Sequence, residues 1–176
     1  FVPGHPLAGT EFSGPSAGFP SLFKNHYWLL ISENKTNGAI SVMTSFCEKL
    51  GAMVEVMDAD YHDKILAITS HLPHLIAFTI VRTASDLEHD LKNDVIRFSA
   101  SGFRDFTRIA ASDPTMWRDV FLNNDEAVLE MLQRFSDDLA YVQNAIQNRQ
   151  GDKLFNLFER TGDIRRSIVD IGQASD

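Results

Sequence analysis

The chain has 176 residues, 44% of them hydrophobic, and a formal net charge of −8. This is long enough for one domain with a real core and ordinary in composition for a globular protein, and the negative charge argues against a nucleic-acid partner. Cys47 is the single cysteine, so no intrachain disulfide forms and nothing points to secretion; a cytoplasmic location is the expectation.

No apolar run reaches the ~18 residues of a membrane span, so no membrane partner is expected. The opening Phe1-Val2-Pro3-Gly4 has no basic region and no initiator Met, so no signal peptide is expected in it. The chain reads as a piece of something longer.

Residues 1–25 read as loop, because Gly4, Pro6, Gly9, Gly14, Pro15, Gly18 and Pro20 break any period. The segment carries His5, Thr10, Glu11 and Ser13, a density of ligating groups that loops with a function often have. Tyr27 to Ile31 reads as a buried strand. Residues 37–50 read as a helix with Ile40, Met43, Phe46, Cys47 and Leu50 at spacings of three and four, stopped by Gly51. Residues 52–57 alternate as a short strand. Two strands around a helix are the tail of an α/β unit, since a whole parallel sheet needs more strands.

Residues 60–87 then form one long helix, apolar on most sides, as expected of a central helix or one shared between subunits. Pro73 should kink it. Residues 88–94 read as a polar connection. An amphipathic helix follows over 123–148, capped by Asn124 or Asn123, with Val128, Leu129, Leu132, Phe135, Leu139, Val142 and Ile146 in register. The last helix covers about 150–171. The fold class is therefore mainly α: an all-helical domain over 58–176, preceded over 1–57 by the last strands and helix of an α/β domain.

The stretch 98–120 has the densest chemistry. Arg104, Arg108 and Arg118 alternate with Asp105, Asp113 and Asp119, and Phe103, Phe106 and Trp117 lie between them. Arg104 and Arg108 are four apart, hence on one helical face. Asp113 is placed to cap the helix that Pro114 starts. Two guanidinium forks suit a ligand bearing carboxylates; a solvated salt-bridge ladder is the plainer alternative.

His71 and His74 lie one turn apart on the long helix. Two imidazoles at that spacing can share a metal, but no His-Glu-x-x-His pattern accompanies them, and no metal is expected. A hydrogen-bonded core histidine, or the polar wall of an organic-ligand pocket, accounts for each of them better. His5, beside Thr10 and Glu11, is a candidate acid/base group. There is no Gly-x-Ser-x-Gly elbow, no phosphate loop ending in Lys-Ser/Thr, and no Gly-x-Gly-x-x-Gly. No residue of the chain is assigned to a nucleotide.

Five segments together are more specific than any one. Gly4-His-Pro-Leu-Ala-Gly-Thr-Glu11, Met57-Asp through His62-Asp63, Thr69-Ser-His-Leu-Pro-His74, Gly102-Phe-Arg-Asp-Phe-Thr-Arg-Ile-Ala110 and Ser112-Asp-Pro-Thr-Met-Trp-Arg-Asp119 resemble the prephenate dehydrogenase family. That family includes the arogenate and cyclohexadienyl dehydrogenases of tyrosine biosynthesis. The resemblance runs from residue 3 to about 130. It implies a Rossmann domain binding NAD or NADP, largely outside this chain, and a helical C-terminal domain that dimerises.

By position, the resemblance makes His5 the group that takes the proton of the ring 4-hydroxyl, and Arg108 the holder of a substrate carboxylate. Thr10 and Glu11 would lie in the pocket, with His71 and His74 lining the substrate or tyrosine site. Arg104 and Asp105 would sit near the dimer interface, and Trp117 would pack nearby. One departure is Ser99-Ala-Ser-Gly102, where many relatives carry consecutive glycines. The implied partners are prephenate or arogenate, tyrosine as an inhibitor, and a second copy of the chain. Two competing readings are a tyrosine-binding regulatory module of a linked enzyme and a purely structural dimerisation domain.

Overall fold

In the computed structural model, which describes residues 1–9, 14–33, 38–86, 97–98 and 100–168, the first element lies inside the stretch expected to be loop. It is a short strand, β1 (Gly4–Pro6). It pairs antiparallel with β2 (Tyr27–Ile31), with His5 opposite Leu29 and Pro6 opposite Trp28. Pro3 and Pro6 hide this strand from a sequence reading, but both are tolerated because β1 is an edge strand. Cross-strand bonds run from Ile31 N–H to Pro3 and from Leu7 N–H to Tyr27. Two-residue alternation then leaves Pro6 where no donor is needed.

β2 continues into α1 (Gly38–Lys49) and β3 (Met53–Met57), which pairs parallel with β2. The sheet order is β1-β2-β3. Both strands and the helix agree with expectation. Gly51 ends α1 at φ +86°, the left-handed conformation that a side chain resists. Ile40 and Cys47 are buried against the sheet with Leu29 and Leu30, but Phe46 and Leu50, also expected inside, are exposed. Burial pushes the Cys47 thiol pKa up, as for an inert structural thiol.

The long helix is present as α2 (Ala59–Leu66), a π-helical stretch (Ala67–His71) and α3 (Leu72–Ser85). Asp58 caps it, accepting from the Tyr61 N–H at 2.8 Å. The irregularity expected at Pro73 lies one turn earlier. Pro73 cannot donate and its ring crowds the preceding carbonyls, and the ladder widens ahead of it, with Leu72 N–H reaching Ala67 O. The face carrying Leu66, Ala67, His71, Leu72 and Ala77 is buried, while Ile68, Ile80 and Val81 are exposed. The expectation that no stretch is of membrane-span length is corrected here. Ala59–Ser85 is long and apolar enough for one by length and composition, although its buried face packs within this chain.

Beyond it come α4 (Ser101–Thr107), a 3-10 turn (Arg108–Ala111) and α5 (Pro114–Asn123). Asp113 caps α5 as expected, accepting from Met116 N–H at 2.9 Å. Then follow α6 (Asp125–Gln147) and α7 (Gly151–Ile168). The asparagines expected to cap α6 are used otherwise: Asn123 donates back to Asp119 O, and Asn124 reaches across to the long helix. By compactness the chain divides into Phe1–Met131 and Leu132–Asp176. In the second unit Ala145 is buried, whereas Leu139, Ile146, Phe155, Phe158 and Ile164 are exposed. The connection expected over 88–94 and the last residues of the predicted final helix lie outside the described residues.

Candidate active site

Backbone geometry brings four histidines together within the first unit. β1 holds His5 at the sheet edge, and α2 carries His62 toward it. The His5 Nδ1 and His62 Nε2 atoms are 2.9 Å apart, with ring centroids at 5.2 Å. The other nitrogen of His62, Nδ1, lies 2.8 Å from Asp63 Oδ1. The amide nitrogen of Asn124 donates to Asp63 O at 2.9 Å and faces His71 Nδ1 at 3.2 Å. An amide N–H₂ can only donate, so His71 Nδ1 accepts, and neutral His71 carries its proton on Nε2.

His74 is fixed differently. Its Nδ1 lies 2.9 Å from Ser70 O. A carbonyl only accepts, so Nδ1 carries the proton and Nε2 is left as an acceptor in the neutral ring. The imidazole stacks on Trp117 at 3.7 Å between centroids, while His71 meets the same indole edge-on at 6.1 Å. Trp117 is 6% exposed, and among the described residues its Nε1–H has no hydrogen-bond partner. The tryptophan therefore joins α5 to α3 and keeps one buried donor uncommitted.

Electrostatics favours neutral imidazoles. Burial, then the neighbouring His62, lowers the His5 pKa below the usual 6.5. Burial, His5, His62 and His74 lower that of His71, with Asp63 opposing. Burial lowers that of His74; the bond to Ser70 O opposes this, and the guanidinium of Arg108 adds to it. Arg108 thus lies close enough to act on His74, at the start of the 3-10 turn between α4 and α5. Near neutral pH the site offers ring nitrogens of both kinds, donor and acceptor, beside a fixed positive charge. Such a set can remove a proton from a hydroxyl while holding an anionic group.

The remaining predicted residues fall in three places. Arg104 and Asp105 are exposed on α4. Arg118 is taken by Asp119 at 2.7 Å on an exposed face, so the ladder reading holds for that pair. Thr10 and Glu11 lie outside the described residues. Among the described residues no group of three metal-ligating side chains converges. A surface cleft lined by Asp60, Asp63, Lys64, Asn124, Glu126, Ala127 and Glu130 adjoins the cluster but contains none of its histidines.

Sequence reasoning gave no role to His62 and Asp63, and read Asn124 as a cap. The adjacent His-Asp pair, and its place in one of the family-like segments, were the available signals for the first two. For Asn124 there was none, because its partners are 61 and 53 residues away.

Residues 1–56 match the family model described as prephenate dehydrogenase, nucleotide-binding domain, and residues 58–160 match prephenate dehydrogenase, dimerization domain. The chain is 40% identical over 168 residues to a cyclohexadienyl dehydrogenase of Zymomonas mobilis, covering 95% of this chain and 57% of that protein. It is 33% identical to a prephenate dehydrogenase of Bacillus subtilis, covering 96% of this chain and 45% of that one. Among solved structures, the prephenate dehydrogenase from A. aeolicus in complex with hydroxyphenyl propionate and NAD+ superposes with a TM-score of 0.87 at 34% identity, covering 96% of this chain and 59% of that chain. The chain spans about half the length of the curated relatives it matches.

Proposed function

The chain belongs to the prephenate dehydrogenase family, and on that premise we propose that it forms the substrate side of an NAD(P)-dependent prephenate, arogenate or cyclohexadienyl dehydrogenase. The observation that carries this reading is His5: half-buried, held through Nδ1, and kept neutral by its surroundings. A neutral imidazole with a free lone pair can take the proton of the ring 4-hydroxyl. Loss of that proton makes the carbonyl at C4 as hydride leaves the same carbon, and the ring carboxylate departs as CO₂ with aromatisation. Nicotinamide chemistry supplies the hydride acceptor.

The sequence between β2 and α1 carries Glu33 and no Gly-x-Gly-x-x-Gly, the motif that lets a backbone approach a pyrophosphate closely. We assign no residue of this chain to the cofactor, which is held mainly by a part of the nucleotide-binding domain outside this chain; NAD and NADP both remain within the proposal.

Each other residue then has a task. Arg108 holds a carboxylate. His71 offers Nε2–H as a donor, and His74 offers Nε2 beside Arg108. Trp117 supplies an indole N–H and a wall. By the family resemblance we give Thr10 and Glu11, which lie outside the described residues, a part in binding substrate, and Arg104 with Asp105 a place toward a second subunit. The domain division we propose is 1–57 as part of the nucleotide-binding domain and 58–176 as the helical substrate-binding and dimerisation domain, in a cytoplasmic homodimer. The apolar side chains left exposed on α6 and α7 support a second copy as partner.

The test is reduction of NAD+ or NADP+ by the complete protein with prephenate and with arogenate, followed by the absorbance of the reduced nicotinamide. Turnover with neither substrate would end this reading.

A further inference from the structure

The geometry points to His62 and Asp63 as a positioning pair that fixes the ring tautomer of His5, so that Nε2 of His5 is the basic atom. This inference rests on the reading of His5 as the base and deepens it. The chain of contacts is Asp63 Oδ1 to His62 Nδ1 at 2.8 Å, then His62 Nε2 to His5 Nδ1 at 2.9 Å.

Donor and acceptor roles propagate along that chain. A carboxylate only accepts, so His62 Nδ1 must carry a proton. A neutral imidazole has one N–H, so His62 Nε2 is left as an acceptor. His5 Nδ1 must then donate to it, which puts the lone pair of His5 on Nε2. Without this bond an imidazole in water prefers the opposite tautomer, with the proton on Nε2, and that form would present the substrate hydroxyl with a donor where a base is needed. The relay thus decides between a functional and a non-functional neutral ring at the same position.

Burial supports the arrangement. His62 is 18% exposed at its side chain, so water competes little for its nitrogens, whereas Asp63 is 50% exposed and anchors the outer end. The Asp63 backbone is also held, since its carbonyl accepts from Asn124. Among the described residues, the titratable groups facing His5 are His62 from α2 and His71 from the π-helical stretch, with Asp63 behind His62. An extra proton on His5 fills Nε2 directly and removes the lone pair that the relay places there.

The test uses the complete protein and three variants. His62→Leu removes the acceptor, and kcat should fall roughly 10- to 100-fold, the usual effect of losing a partner that orients a functional histidine. KM should change little, because the carboxylate contacts are untouched. His62→Gln places an amide oxygen where Nε2 sat and should restore most of the rate, which a merely structural loss would not allow. Ring ¹⁵N spectra of the wild type should show His5 protonated at Nδ1 and unprotonated at Nε2, and in His62→Leu the two should exchange. A wild-type His5 already protonated at Nε2, or a His62→Leu enzyme with unchanged kcat, would overturn the inference. His5→Asn separates the two levels. If it is inactive while His62→Leu is unchanged, the relay is wrong and the base stands. If both are unchanged, the reading of His5 as base falls, and the relay with it.

Discussion

Around His62 the ring nitrogens that face protein have partners within 3.2 Å, on β1, α2 and the start of α6. Along α7, Phe155 and Phe158 leave 63% and 60% of their surface in water. The first region is completed by one chain, through contacts between residues more than fifty positions apart. The second is a pair of amphipathic helices on which Leu139, Ile146, Phe155, Phe158 and Ile164 stay exposed. Polar groups that must be oriented to react are supported locally and in depth, while an assembly surface needs only shape and apolar area. The two regions should therefore respond oppositely to substitution: the cluster in rate and protonation, the helices in association.

The sharpest break in the comparison is at His5. In the complete protein, His5→Asn keeps a hydrogen-bonding group but loses the base, and turnover should drop roughly 10²- to 10⁴-fold. Its state of association should not change. Light scattering alongside steady-state kinetics checks both halves, and a rate close to wild type would remove His5 from the chemistry.

Arg108 comes next. Arg108→Ala should raise KM for the substrate roughly 10- to 100-fold, the scale of a charge-assisted hydrogen bond, and leave dinucleotide binding nearly unchanged. Arg108→Lys should recover part of the loss, because an ammonium cannot reproduce the fork. An unchanged KM in Arg108→Ala would place the carboxylate elsewhere.

A smaller effect is expected where the cluster is purely supportive. Asn124→Ala strips the donor from Asp63 O and His71 Nδ1 and should cost about 1–3 kcal/mol of stability. Thermal unfolding measures it, and an unshifted melting temperature would mean that water replaces the amide. On the other side of the comparison, Phe158→Glu should shift the protein toward monomer at micromolar concentration without slowing the chemistry of whatever dimer remains. Sedimentation over a dilution series reads this, and an undisturbed dimer would show that α7 faces solvent.

The smallest effect concerns acid. His5, His71 and His74 all have pKa values lowered in the folded state. The unfolded chain therefore binds protons first as pH falls below the usual ~6.5. Stability is fully present above that pH and is lost as pH falls through the lowered folded-state values. Melting temperatures taken from pH 7.5 to 5 should decline over the lower part of that range. The decline should weaken when His71 is replaced by Asn, and a flat profile would contradict the lowered pKa values.

Much of this fold was legible because its signals are local. The apolar run Tyr27–Ile31, the spacing in α1 and the Asp113–Pro114 helix start each lie within one short stretch. β1 was missed because Pro3 and Pro6 look like breakers, and nothing in the sequence says that β2 waits across from His5. The π-helical stretch was missed because proline predicts a disturbance without fixing which turn absorbs it. His5, Arg108, His71, His74 and Trp117 stood out by residue type and by likeness to the family motifs. His62 and Asp63 lay within one of those motifs but were given no role, and Asn124 lay outside them, since their roles exist only once α2, β1 and α6 meet. Phe46 and Leu50 were read as core because periodicity reports an apolar face, not what covers it.

The account stands or falls on whether the site works through a neutral His5. The most direct measurement is the pH dependence of kcat/KM for the complete protein, wild type beside His5→Asn. The account predicts that the wild-type rate falls on the acid side with a midpoint below the usual histidine value of ~6.5, in keeping with the lowered pKa of His5, and that the residual rate of His5→Asn lacks this limb. An acid limb that survives unchanged in His5→Asn would show that another group takes the proton.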